Sequence, residues 1–281
     1  MMNFLHKLQN AKKTNNSYVC VGLDSEFEKL PESVKSYPDP QALFNNLIIE
    51  ATKDNVCAYK INSAFYECRG ADGWKSLENT VKGIPENIPI IVDGKRADIG
   101  NTSRKYAQAV YDLLGADAVT VNPYLGLDGI EPFLNYEGKC AFVLCHTSNK
   151  SSEDFQRVSL AGGENQLRRD KNAITRLFEL VAHKASEWNK IGSCGLVIGA
   201  NVPEDFTRII DIAPGLPILV PGIGAQGGDI RAVVERLRGT DFTINSSRGI
   251  IFAPGYDDFA EGAHRQTIAL KDIINDILAN R

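Results

Sequence analysis

The chain has no apolar run near the ~18 residues needed to cross a membrane, and the opening MMNFLHKLQNAKKTNN lacks the apolar core of a secretory signal. There is no excess of positive charge: 31 basic residues stand against 35 acidic, a formal net charge of −4. Such a balance offers no broad field for nucleic acid or anionic lipid, so an anionic ligand would have to be held by a few local groups. None of the six cysteines forms a CxxC pair, and Cys20, Cys57, Cys140, Cys145 and Cys194 sit in apolar runs, as buried reduced thiols do; Cys68 has no such context. Four histidines, His6, His146, His183 and His264, show no close pairing and so no zinc motif. No G-x-G-x-x-G follows the first strand candidate, where the chain reads VGLDSEFEKL, and neither internal repeats nor low-complexity tracts occur. These absences, with 43% hydrophobic and 23% charged residues, leave a soluble, cytoplasmic, globular protein as the expectation.

What is present is an alternation. Short apolar, β-branched runs at 18–23, 56–61, 89–95, 117–121, 140–145, 194–199, 217–220 and 241–245 are separated by longer stretches with helical spacing. The clearest helix covers 102–114, where Tyr106, Ala109, Val110, Leu113 and Leu114 recur at i, i+3, i+4, i+7 and i+8 behind an Asn101/Thr102 cap and ahead of Gly115. Further helices are expected at 40–54, 127–136, 171–189, 204–212, 229–238 and 256–279. Eight βα-sized units in 281 residues predict an α/β fold, a single-domain (β/α)8 TIM barrel, with a doubly wound open sheet as the alternative. The polar segment 147–170 breaks the pattern after the fifth strand; a lid over the C-terminal face and a surface insertion fit it equally.

The third strand carries the chemistry. Alternation puts Ile91, Asp93 and Lys95 on the face toward the barrel axis and Ile90, Val92 and Gly94 on the other. The same parity turns Lys60 and Asn62 inward at the end of the second strand, the first strand ends at Asp24, and Asp98 follows three residues after Lys95. Burying several ions is costly unless they pair well, so charges converging on one barrel mouth point to chemistry rather than to stability. A lysine flanked by aspartates keeps its proton and is an acid, not an amine nucleophile. The seventh strand runs into PGIGAQGG and the eighth into Asn245-Ser-Ser-Arg248-Gly. Loops at these positions of a barrel often hold phosphate on backbone N–H groups, and Arg248 adds a bidentate charge.

The run Asp93-Gly-Lys95-Arg-Ala-Asp98-Ile99-Gly-Asn-Thr102 resembles the D-x-K-x-x-D-I-x-x-T signature of the orotidine 5′-phosphate decarboxylase family. VGLDS, YKINSAFYE, PGIGAQGGD and NSSRG extend the likeness over nearly the whole chain, closest to the longer subgroup of that family. The resemblance implies decarboxylation of orotidine 5′-phosphate to UMP, the last step of de novo pyrimidine synthesis, with no cofactor and no metal. By the same resemblance Asp24 and Lys60 hold ribose hydroxyls, and Asp93, Lys95 and Asp98 form a charged array with Lys60. Lys95 delivers the proton to C6, Gln226 bridges the two ends of the nucleotide, and Arg248 grips the phosphate. Thr147 or Ser148, with Ser148 favoured, contacts the pyrimidine; Asn62 matches the subgroup. Asp98, Ile99 and Thr102 are expected to serve the neighbouring subunit's site, which implies a homodimer with shared active sites. A metal-dependent sugar-phosphate decarboxylase or epimerase, a non-catalytic phosphate-ligand sensor and a Schiff-base aldolase are the rival readings.

Overall fold

Eight parallel strands pair in chain order: β1 Val19–Gly22, β2 Ala58–Asn62, β3 Ile90–Arg96, β4 Ala118–Val121, β5 Cys140–His146, β6 Cys194–Ile198, β7 Ile218–Pro221 and β8 Phe242–Ser246. β8 returns to β1, with Cys20 opposite Asn245, so the sheet closes into a (β/α)8 barrel and the open-sheet alternative is excluded. The computed structural model describes residues 3–160, 174–223, 229–254 and 258–280. Every strand lies within one or two residues of its expected position, because strands buried on both faces read as apolar runs.

The barrel interior is layered. Cys20, Ala58, Ile91, Ala118, Cys140, Phe142, Val197 and Leu219 fill its lower part. Helix α1 (Phe4–Asn15) closes that end: Phe4 and Leu8 join the same cluster, and Phe4 meets Phe142 edge-on at 5.6 Å. This helix was not expected from the sequence. Its buried stripe is only Phe4, Leu8 and Ala11, too thin to stand out among polar residues. The five cysteines assigned to the interior are buried and Cys68 is exposed; burial pushes the Cys57 thiol up to about 11.

Around the barrel lie α2 (Pro40–Thr52), α3 (Gly70–Lys82), α4 (Gly100–Gln108), α5 (Leu127–Leu134), α6 (Leu177–Trp188), α7 (Pro203–Ile212), α8 (Ile230–Arg236) and α9 (Phe259–Ala279). α3 was also missed, since it opens on Gly70 and buries Gly73, Ser76 and Thr80 beside only two aliphatic residues. The helix expected at 102–114 needs correction. It starts at Gly100, with Ile99 as the cap residue and no side-chain cap, so Asn101 and Thr102 lie within its first turn. Its last turn, Ala109–Leu113, widens to a π-turn before Gly115, at φ +72°, stops it. Of the 147–170 segment, 147–160 is described, with a 3₁₀ turn at Lys150–Asp154 and a bridge from Ser159 to Arg176; 161–170 falls outside the described residues. Among the described residues no helix is long and apolar enough to cross a membrane.

Candidate active site

At the C-terminal mouth of the barrel the inward-facing residues turn from apolar to charged. A cavity of about 440 Å³ opens there, walled by Asp24, Lys60 and Asn62 from the first two strands and Asp93 and Lys95 from β3. Ser148 and Arg248 complete it from the loops after β5 and β8. Parity brings this about: Ile91 is in the inner apolar cluster, and Asp93 and Lys95 follow at steps of two. Arg96, one step out of phase, points away and pairs with Glu67.

Asp93 is the hub. Its Oδ2 lies 3.1 Å from Lys60 Nζ, and its Oδ1 lies 2.7 Å from Lys95 Nζ. Thr120 Oγ1 also donates to Oδ1, at 2.7 Å. Lys60 reaches Asp24 on its other side at 3.6 Å. Burial disfavours the charged form of Asp93, but the ammonium groups of Lys60 and Lys95 and the hydrogen bonds from Lys95 and Thr120 outweigh it, so the carboxyl is held well below the ordinary range. Burial likewise works against the Lys60 ammonium, and the carboxylates of Asp24 and Asp93 overcome it, raising its pKa above that of a free lysine. The cavity therefore presents fixed charges of both signs at neutral pH.

Lys95 has a backbone feature that no pattern in the sequence announces. Its φ is +45°, a conformation that favours glycine and costs a side-chain-bearing residue of order 1–3 kcal/mol. The ladder between β3 and β4 is irregular at this point, between Val92 and Arg96. Thr120 compensates by accepting the Lys95 N–H at 3.0 Å while donating to Asp93. One hydroxyl thus fixes both the twisted backbone under Lys95 and the carboxylate beside its ammonium.

On the β5 side, Gln156 pins the loop: its Oε1 accepts the Thr147 N–H at 2.8 Å and its Nε2 donates to Thr147 Oγ1 at 2.8 Å. Thr147 and Ser148 both line the cavity, so both remain candidates for a ligand contact. The absence of a side chain at Gly199 lets Ser148 approach, since a Cβ there would stand 2.8 Å from Ser148 Cβ. Behind the loop, Arg157 meets Asp205 at 2.6 Å, and Asp205 also faces Nδ1 of the fully buried His146 at 3.1 Å.

Three expected residues do not reach the cavity within this chain. Asp98 turns back to accept the N–H of Ile99 at 2.8 Å, and Ile99 is 54% exposed. Thr102 faces a separate outer cavity with Trp74 and Tyr106. Gln226 lies outside the described residues. Thr120, Gln156, Asn245 and Ser247 line the cavity but were not singled out from sequence. Parity could have found Thr120 and Asn245, polar residues two steps beyond Ala118 and Thr243. Among the described residues no group of three or more His, Cys, Asp or Glu could hold a metal ion.

A closed parallel barrel with two lysines interleaved among carboxylates at its C-terminal mouth places the chain among (β/α)8-barrel enzymes. Residues 17–261 match the family described as orotidine 5′-phosphate decarboxylase / HUMPS. The chain is 44% identical over 278 residues to the orotidine 5′-phosphate decarboxylase of Dehalococcoides mccartyi strain BAV1, covering 98% of each chain. It superposes on the OMP decarboxylase of Leishmania donovani with a TM-score of 0.83 at 34% identity, covering 99% of this chain and all of that one. It also matches the UMP synthase of the same organism, with a TM-score of 0.86 at 35% identity, over its full length but only 57% of that longer chain. The chain belongs to the orotidine 5′-phosphate decarboxylase family, a family of carboxy-lyases.

Proposed function

We propose that this protein decarboxylates orotidine 5′-phosphate to UMP and CO2, the closing step of de novo pyrimidine synthesis. The observation that carries the reading is the Lys60–Asp93–Lys95 array at the mouth of the cavity, with Arg248 on the wall that follows β8. Loss of CO2 leaves an electron pair on a ring carbon with no imine or metal to receive it, so a preorganised cation has to meet it. Lys95 supplies that cation. The C6–carboxylate bond breaks, its electrons stay on C6, and one Nζ proton of Lys95 passes to C6; the amine regains its proton from solvent. Asp93 aims the Lys95 ammonium, and Lys60 balances Asp93. No cofactor takes part in this scheme.

Asp24 and Lys60 take the ribose hydroxyls, with Asn62 beside them, Ser148 meets the pyrimidine, and Arg248 and Gln226 hold the phosphate end. Binding at that remote end contributes energy used at the reacting carbon. The outward set of Asp98, Ile99 and Thr102 fits a homodimer in which each subunit completes the other's site. The test is spectroscopic: purified protein with orotidine 5′-phosphate and EDTA should show the ultraviolet change to UMP. Turnover that EDTA abolishes and a divalent ion restores overturns the metal-free scheme, and absence of turnover under every condition overturns the function.

A further inference from the structure

Asn245 lies one residue before the end of β8, two residues after Thr243, whose hydroxyl faces Cys57 inside the barrel. Parity therefore aims Asn245 inward, and it lines the same cavity as Asp24 and Lys95. Asn245 is only 5% exposed, and its Nδ2 makes a long contact with Ser247 Oγ at 3.4 Å. Its Oδ1 is buried and has no hydrogen-bond partner among the described residues. A buried amide oxygen without a donor is costly, and native interiors rarely leave one without a ligand or an ordered water to provide it.

Space has been cleared for this group. Gly22, at the end of the neighbouring β1, has no side chain; a Cβ there would stand 1.9 Å from Ser247 Oγ and 3.2 Å from Asn245 Oδ1. Asp24, two residues beyond Gly22, also has a buried oxygen, Oδ1, which faces Lys60 Nζ at 3.6 Å, beyond hydrogen-bond distance, and accepts no hydrogen bond among the described residues. The ends of two adjacent strands thus bring to one cavity two acceptors that lack a hydrogen bond. An acceptor pair calls for a ligand with two neighbouring donors. A phosphate dianion has none and a pyrimidine-dione ring has one N–H, whereas the vicinal diol of a ribose has two.

We propose that Asn245 Oδ1 accepts a hydrogen bond from a ribose hydroxyl of the bound nucleotide, beside Asp24, so that Asn245 selects ribonucleotides over deoxyribonucleotides. The inference rests on the reading of the cavity as a nucleotide site and adds to it a sugar-selecting residue. Calorimetry with UMP, 2′-deoxyUMP and 3′-deoxyUMP tests it, on wild type and Asn245→Ala, with Asn245→Ser in reserve if the alanine variant melts early. In the variant UMP should bind roughly five- to tenfold more weakly, the worth of one neutral hydrogen bond. The analogue lacking the accepted hydroxyl should bind wild type and variant alike, which also identifies the hydroxyl. Equal losses for all three ligands, or no loss for any, overturn the inference while the nucleotide reading stands. Failure of wild type to bind any of the three overturns the nucleotide reading itself.

Discussion

Asp93 and Lys95 project from the same face of one strand, and their charged ends meet at 2.7 Å. Alternation alone puts two such side chains side by side; what makes the pair unusual is the φ of +45° at Lys95, which re-aims the ammonium at the strand's end. Thr120 holds both members, by a bond to the Lys95 N–H and another to the Asp93 carboxylate. Thr120→Val, close in shape but without the hydroxyl, should lower kcat by about tenfold or more with a smaller change in KM, because it loosens the reacting ammonium. Equal kcat in variant and wild type would show that the hydroxyl does not position Lys95.

The pH dependence follows from the directions of the two shifts. Asp93 is held below its ordinary pKa, so its contribution to stability is present above the unfolded value, ~3.9, and is lost as pH falls toward the folded value beneath it. Lys60 is raised, so its contribution is present below the unfolded value, ~10.4, and is lost as pH rises through the higher folded value. The stability difference between wild type and Asp93→Asn, measured by urea unfolding, should be flat from about pH 5 to about pH 9 and shrink below about pH 4. A difference that varies across the neutral range contradicts this.

Arg248→Ala should weaken UMP by roughly 10- to 100-fold, the range of a charge-assisted contact, and leave uridine within about twofold. Only UMP offers a phosphate to the guanidinium. Equal losses for both ligands would make Arg248 structural.

Asp205 joins Arg157 of the β5 loop to the buried His146. Asp205→Ala removes one of the two carboxylates that Arg157 meets, Glu204 remaining at 2.9 Å, and should destabilise the fold by about 1 kcal/mol, read from chemical unfolding. Unchanged stability would mean that the clasp contributes nothing measurable.

The shared site has its own test. Asp98→Ala and Lys95→Ala subunits, each poorly active alone, should regain activity on subunit exchange, approaching half the wild-type value per heterodimer. One mixed site then collects both lesions and the other is whole. If mass measurement confirms exchange and activity stays at the parental level, Asp98 acts within its own chain.

The barrel was legible because its strands are buried on both faces and end at turn residues, and β3 was legible to the side chain because its parity separates Asp93 and Lys95 from Ile90 and Val92. Helices α1 and α3 escaped because their buried faces are narrow or built from small residues. The left-handed backbone at Lys95 has no local signature: neither Gly nor Asn stands there, and the conformation is held by Thr120 from another strand. Gln156 was hidden for a similar reason. Its partner Thr147 lies across a polar loop with no period, so only the folded chain reveals that they meet.

The most direct measurement is the turnover of orotidine 5′-phosphate by Lys95→Ala, in a sample whose melting curve and UMP affinity show an intact barrel. Losing both the proton donor and the cation facing the carbanion should reduce kcat by at least about a thousandfold. Turnover within about tenfold of wild type from that folded, ligand-binding variant would contradict the assignment of Lys95 and the mechanism built on it.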